Sequence, residues 1–180
     1  MMCFRLFLAI DPPVEIRNIL HSICYGLDAV KWTAEDQIHL TLRFIGAADG
    51  LLLDDICHKL SEMESSSFSL KIKGVGYFPP RGEPKVLWAG LDESPQLKKL
   101  YGNINNSLFE CRIGREGRKF APHITLGRLK GGASQNLAEY LKRNSHIKSE
   151  AFEVNQYHLY SSRLTPKGAI HEKLASFLLN

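Results

Sequence analysis

His39-Leu40-Thr41-Leu42 and His123-Ile124-Thr125-Leu126 are one tetrapeptide pattern written twice in a chain of 180 residues. Alternate side chains of an extended strand share a face. Each copy therefore turns its His and Thr to one side and its aliphatic pair to the other, toward a core. Two such strands facing each other present two imidazoles and two hydroxyls to one cleft. That set of groups suits acid–base chemistry at a phosphate without a metal. One copy carries little weight, because a hydrogen-bonded histidine near a core is commoner than a catalytic one; two copies at matching points of a repeat are far rarer.

The surrounding chain reads as two passes through one plan, with halves of about 1–84 and 85–180 in a single domain. The first pass has a strand Arg5–Ile10, then Asp11-Pro12 as a helix-start signal. Ile16, Ile19, Leu20, Ile23 and Leu27 follow at helical spacing. A strand Ile38–Ile45, stopped by Gly46, leads to a helix at about Leu52–Met63 and a strand at about Phe68–Phe78. The second pass has a strand Val86–Leu91, a helix begun by Ser94-Pro95, and a strand Phe120–Leu129 broken by Gly131-Gly132. A helix from Ser134 to Arg143 and strands Phe152–Tyr160 and Ala169–Leu178 complete it. Leu8-Ala9-Ile10-Asp11 answers Ala89-Gly90-Leu91-Asp92, and Phe68-Ser69-Leu70 answers Phe152-Glu153-Val154. The short hairpin at Pro79–Lys85 argues for antiparallel pairing. The expected fold is α+β: a bilobal internal duplication, two antiparallel-rich sheets facing a central cleft, with helices on the outer faces. A doubly wound parallel sheet competes, but neither motif strand ends in a Gly-rich nucleotide-binding turn.

With 44% hydrophobic residues and a net charge of +4, the chain reads as a globular, mildly basic protein that suits an anionic partner. Arg112, Arg115, Arg118, Lys119, Arg128 and Lys130, opposed by Glu116, form a basic stretch. Its segment Arg115–Lys119 reads equally as a phosphate footprint or a solvated face. Cys3, Cys24, Cys57 and Cys111 have no paired spacing, and the opening apolar run is too short for a signal peptide. A cytoplasmic protein without membrane association is expected, and a monomer, since the duplication already supplies two lobes.

In-line displacement at phosphorus needs a proton removed from the nucleophile and another given to the leaving oxygen. Histidine does both near neutral pH. Threonine hydroxyls donate to the non-bridging oxygens. Strand alternation puts Arg43 on the face of His39 and Thr41, and turns Arg128 away from His123 unless a bulge intervenes at Gly127. No third ligand lies at metal spacing around the two histidines, and there is no Walker loop or Gly-x-Ser-x-Gly elbow. No metal or cofactor is expected. His21, His58, His146, His158 and His171 fall outside the motif and read as surface or structural residues.

The stretches His39–Gly46, Gly76–Pro79, Val86–Gly90, Phe120–Arg128 and Ser161–Ala169 together resemble the 2H phosphoesterases, and among them the RNA 2',3'-cyclic phosphodiesterase (2'-5' RNA ligase) family. The resemblance covers nearly the whole chain. It implies metal- and ATP-independent hydrolysis of RNA 2',3'-cyclic phosphate ends to 2'-phosphates. Reverse 2'-5' ligation follows when a 5'-hydroxyl replaces water. It implies His39 and His123 as the acid–base pair, with His39 the acid by analogy, and Thr41, Thr125 and Arg128 as phosphate ligands. Arg43 is thereby demoted, and Phe44, the counterpart of Arg128, is a candidate substrate contact or core residue. The family often has an aromatic residue at the place of His171. A relative acting on another cyclic phosphate or a 2'-5' linkage, and an RNA-end binding module without turnover, are the alternatives.

Overall fold

Leu40 and Ile124, the residues between His and Thr in the two motifs, pair with each other in an antiparallel bridge. Everything else in the fold is arranged around that junction. The structure, a computed structural model, describes residues 4–130, 136–166 and 168–180. The element order is β1 (Phe4–Ile10), α1 (Val14–His21), β2 (Val30–Trp32), β3 (Leu40–Ala48), α2 (Gly50–Ser61), β4 (Phe68–Leu70), β5 (Ile72–Phe78), β6 (Val86–Leu91), α3 (Pro95–Glu110), β7 (Ile124–Leu129), α4 (Leu137–Asn144), β8 (Phe152–Val154), β9 (Gln156–Thr165) and β10 (Gly168–Leu178).

Strands β10-β9-β1-β3 and β7-β6-β5 follow one another in a sheet of eight, with β2 on β7. All its pairings are antiparallel. Among the described residues, the two half-sheets pair through Leu40–Ile124 alone. The mixed α+β, antiparallel architecture is the expected one. Its lobes are not the sequence halves, however: β9 and β10 join β1, while β5 joins β6, so each lobe takes strands from both passes. Strands β4 and β8 pair separately, Phe68 with Val154 and Leu70 with Phe152.

The motif's aliphatic residues explain why the helices sit where they do. Leu40, Leu42, Ile124 and Leu126 are at most 3% exposed and share one core with Ile16 and Leu20 of α1, Ile56 and Leu60 of α2, Leu97, Leu100, Ile104 and Leu108 of α3, and Leu137 and Tyr140 of α4. Burying each such side chain contributes about 2 kcal/mol. The helices thus claim one face of the sheet and leave the other to His and Thr. Asp49 caps α2 through Leu52 N–H (2.9 Å) and Ser94 caps α3 through Leu97 N–H (3.1 Å).

Several boundaries differ from the sequence reading. Strand β3 runs on to Ala48, because Gly46 (φ +95°) forms a bulge opposite Leu6 rather than a stop. Strand β7 begins at Ile124, leaving 120–123 irregular. Strand β2 is three residues long and too short to show periodicity. Asp11 does not cap α1, whose N-cap is Pro13. The register equates Leu8 with Leu87, since each lies opposite a motif bulge, so the Leu8–Ala89 echo is two residues out. The expected Gly131-Gly132 break and the helix start at Ser134 lie outside the described residues. Among the described residues no helix is long and apolar enough to cross a membrane.

Candidate active site

The antiparallel register through Leu40–Ile124 sets His39 beside Thr125 and Thr41 beside His123, on the face opposite the buried Leu and Ile. Both imidazoles are anchored alike. His39 Nδ1 lies 2.7 Å from the Gln37 carbonyl and His123 Nδ1 lies 2.8 Å from the Ala121 carbonyl. A carbonyl only accepts, so Nδ1 carries the hydrogen and donates in each ring, and Nε2 remains for proton exchange. His39 packs on Phe7 (centroids 5.2 Å apart), and His123 meets the edge of Phe78 at 4.9 Å.

Burial holds both histidines below the usual imidazole range, against the backbone hydrogen bond that raises each. Their fixed charged neighbours differ in sign. Asp11 lies near enough to His39 to favour its charged form, while Arg128 opposes charge on His123. A proton on His123 also opposes one on His39, so the two motifs share one electrostatic site.

A bulge follows each Thr, and it decides the arginine question. On β3, Leu42 and Arg43 together oppose Leu8; on β7, Leu126 and Gly127 together oppose Leu87. The extra residue reverses the alternation beyond it. Arg128 therefore returns to the face of His123 and Thr125 and is exposed. Phe44, its counterpart, returns to the face of Thr41 and is 60% exposed, 6.0 Å from the Phe7 ring, so it is not a core residue.

The same bulge corrects the expectation for Arg43. Its guanidinium turns to the packed side, only 8% exposed, where it pairs with Glu116 Oε2 (2.9 Å) and donates to the Gly114 carbonyl. It clamps the loop after α3 from the packed side. Two of that loop's other cations are also engaged: Arg115 lies 4.6 Å over the Phe109 ring and Arg118 pairs with Glu116. Arg43→Met should cost about 2 kcal/mol in a denaturation midpoint, because Glu116 loses a largely buried partner. It should leave phosphate affinity nearly unchanged, which inhibition by inorganic phosphate checks.

Two groups missed in the sequence also border the site. Asp11 accepts from Tyr160 Oη (2.7 and 2.8 Å) and Lys173 Nζ (2.9 Å), which together outweigh its burial and hold its carboxyl below the ordinary range. His171 of β10 meets Phe7 at 4.9 Å and His39 at 5.6 Å. Asp11 had a local signal, its place at the end of β1 next to the His39 strand; His171 stood out only as a departure from the aromatic residue common in the resembled family, and the β9–β10 register delivers it to the cleft.

Two His-Thr strands joined at one bridge, with both imidazoles oriented the same way, are the architecture of a 2H phosphoesterase. The chain belongs to the 2'-5' RNA ligase superfamily, whose family model matches residues 12–165. It is 32% identical over 176 residues to the RNA 2',3'-cyclic phosphodiesterase of Archaeoglobus fulgidus, covering 96% of this chain and 99% of that one. It is 33% identical over 176 residues to the protein of the same name from Thermotoga maritima, covering 94% and 92%. Among solved structures, TT0787 of Thermus thermophilus superposes with a TM-score of 0.80 at 28% identity, covering 97% of each chain. E. coli LigT complexed with 3'-AMP shares the fold, with a TM-score of 0.81 at 22% identity and 99% coverage of both.

Proposed function

We propose that this protein hydrolyses RNA 2',3'-cyclic phosphate ends to 2'-phosphates by two-histidine acid–base catalysis, without a metal or nucleotide cofactor. The observation that carries the reading is the matched anchoring of His39 and His123, which leaves Nε2 of each for proton transfer. The names of its relatives, which align over nearly its whole length, support the substrate class.

Water attacks phosphorus opposite the 3'-oxygen, forming one P–O bond as P–O3' breaks. His123 takes the water proton and His39 gives its proton to the departing O3'. The fixed charges favour this division: a carboxylate beside the ring that must start protonated, a guanidinium beside the one that must start neutral. Thr41, Thr125 and Arg128 bind the non-bridging oxygens, where their donors gain strength as charge develops. Phe44 offers an exposed ring for a base to stack on. A 5'-hydroxyl in place of water would give a 2'-5' linkage by the same path.

Kinetics against pH test the two-histidine reading. Falling pH protonates the base, and rising pH strips the acid. Both groups lie below the ordinary value of 6.5, so kcat/KM should be bell-shaped and centred on the acid side of it. A profile flat through that region would overturn the assignment.

A further inference from the structure

The cleft holds a third imidazole. His171 sits on β10 opposite Ser162 of β9, and its ring stands at 89° to that of His39 with centroids 5.6 Å apart. The same ring meets Phe7 at 72° and 4.9 Å, so Phe7 and His171 both pack against the imidazole of His39. Its Nδ1 is buried without a hydrogen-bond partner among the described residues. Nothing in the core requires a histidine there: the ring is partly exposed and an apolar aromatic would fill the same space.

We propose that His171 is a positioning residue for His39: its ring, at a right angle to the His39 imidazole, holds that imidazole tilted against Phe7, and its charge, when it takes a proton, disfavours a second proton on His39. This rests on the reading of His39 as a proton-transfer group. The titratable and charged groups that share the face of His171 are His39 on the loop entering β3, Asp11 at the end of β1, His158 and Tyr160 on β9, and Lys173 on β10, while Glu172 of β10 and Arg163 of β9 alternate to the other face. Asp11 is engaged by Tyr160 and Lys173, and His158 bonds Ser176, so none of these is bonded to His171. Burial lowers both rings, and His171 takes a proton as pH falls. Its charge then depresses His39 further. The coupling gives His39 a pH response that depends on a residue remote in sequence and next to it in space.

The test is an NMR titration of the His39 imidazole in wild type, His171→Gln and His171→Phe, with kcat measured in parallel. Either variant removes the neighbouring charge, so the His39 midpoint should rise by about half a pH unit in both. Only Phe restores an aromatic edge, so kcat should fall about tenfold in Gln and return toward wild type in Phe. An unmoved midpoint in either variant, or equal kcat in the two, overturns the proposal. The titration needs no substrate, so it stands apart from failure of the cyclic-phosphate reading, which would appear as inactivity of the wild type.

Discussion

His39→Ala and His123→Ala should each lower kcat between about a hundredfold and ten-thousandfold, and the double variant should lose scarcely more than the worse single one. The first half follows from the usual contribution of a positioned acid or base. The second follows from their place in one reaction: once the proton transfer at one end is gone, the partner stabilises little of the remaining path. Independent sites in the two lobes would instead leave substantial activity in each single variant. Burial makes both residues partly structural, so the fold should be checked by thermal denaturation. Neither ring is fully buried, and among the described residues both are hydrogen-bonded through Nδ1 alone, so the loss of stability should be small beside the loss of rate.

Arg128→Met should lower kcat/KM about a hundredfold, and Gly127→Val should reproduce the loss without touching the guanidinium. A charged donor aimed at developing phosphoryl charge is worth that order in rate. The aim depends on the bulge at Leu126–Gly127. A Cβ at Gly127 would lie 2.6 Å from Val30 Cγ1 and 3.1 Å from the Lys31 carbonyl. Relieving those contacts must move β2 or straighten β7, and either displaces Arg128. Steady-state kinetics with a denaturation curve separates the cases: Arg128→Met should hold wild-type stability, whereas Gly127→Val should lose both.

Much of this was legible in the residues alone. Alternation in His39-Leu40-Thr41-Leu42 and its repeat set which side chains face the core and which face the cleft, and the helices followed from Leu97, Leu100, Ile104 and Leu108 and their equivalents. What alternation could not deliver was the residue beyond each motif. A bulge inserts one residue into the period, and it reverses the placement of Arg43 and Arg128 at a stroke. Glu116, the partner that holds Arg43 on the packed side, lies 73 residues away and leaves no local trace. The exchange of β5 and β9 between lobes is likewise long-range: each strand is where the repeat puts it in sequence, but its neighbour comes from the other pass. His171 enters the cleft only through that exchange.

The most direct measurement is 31P NMR of the product formed from a 2',3'-cyclic phosphate RNA end in the presence of EDTA. A 2'-phosphate is expected, produced by the wild type at an undiminished rate and not by His39→Ala or His123→Ala. A 3'-phosphate product, or a rate that disappears with EDTA and returns with a divalent cation, would contradict it.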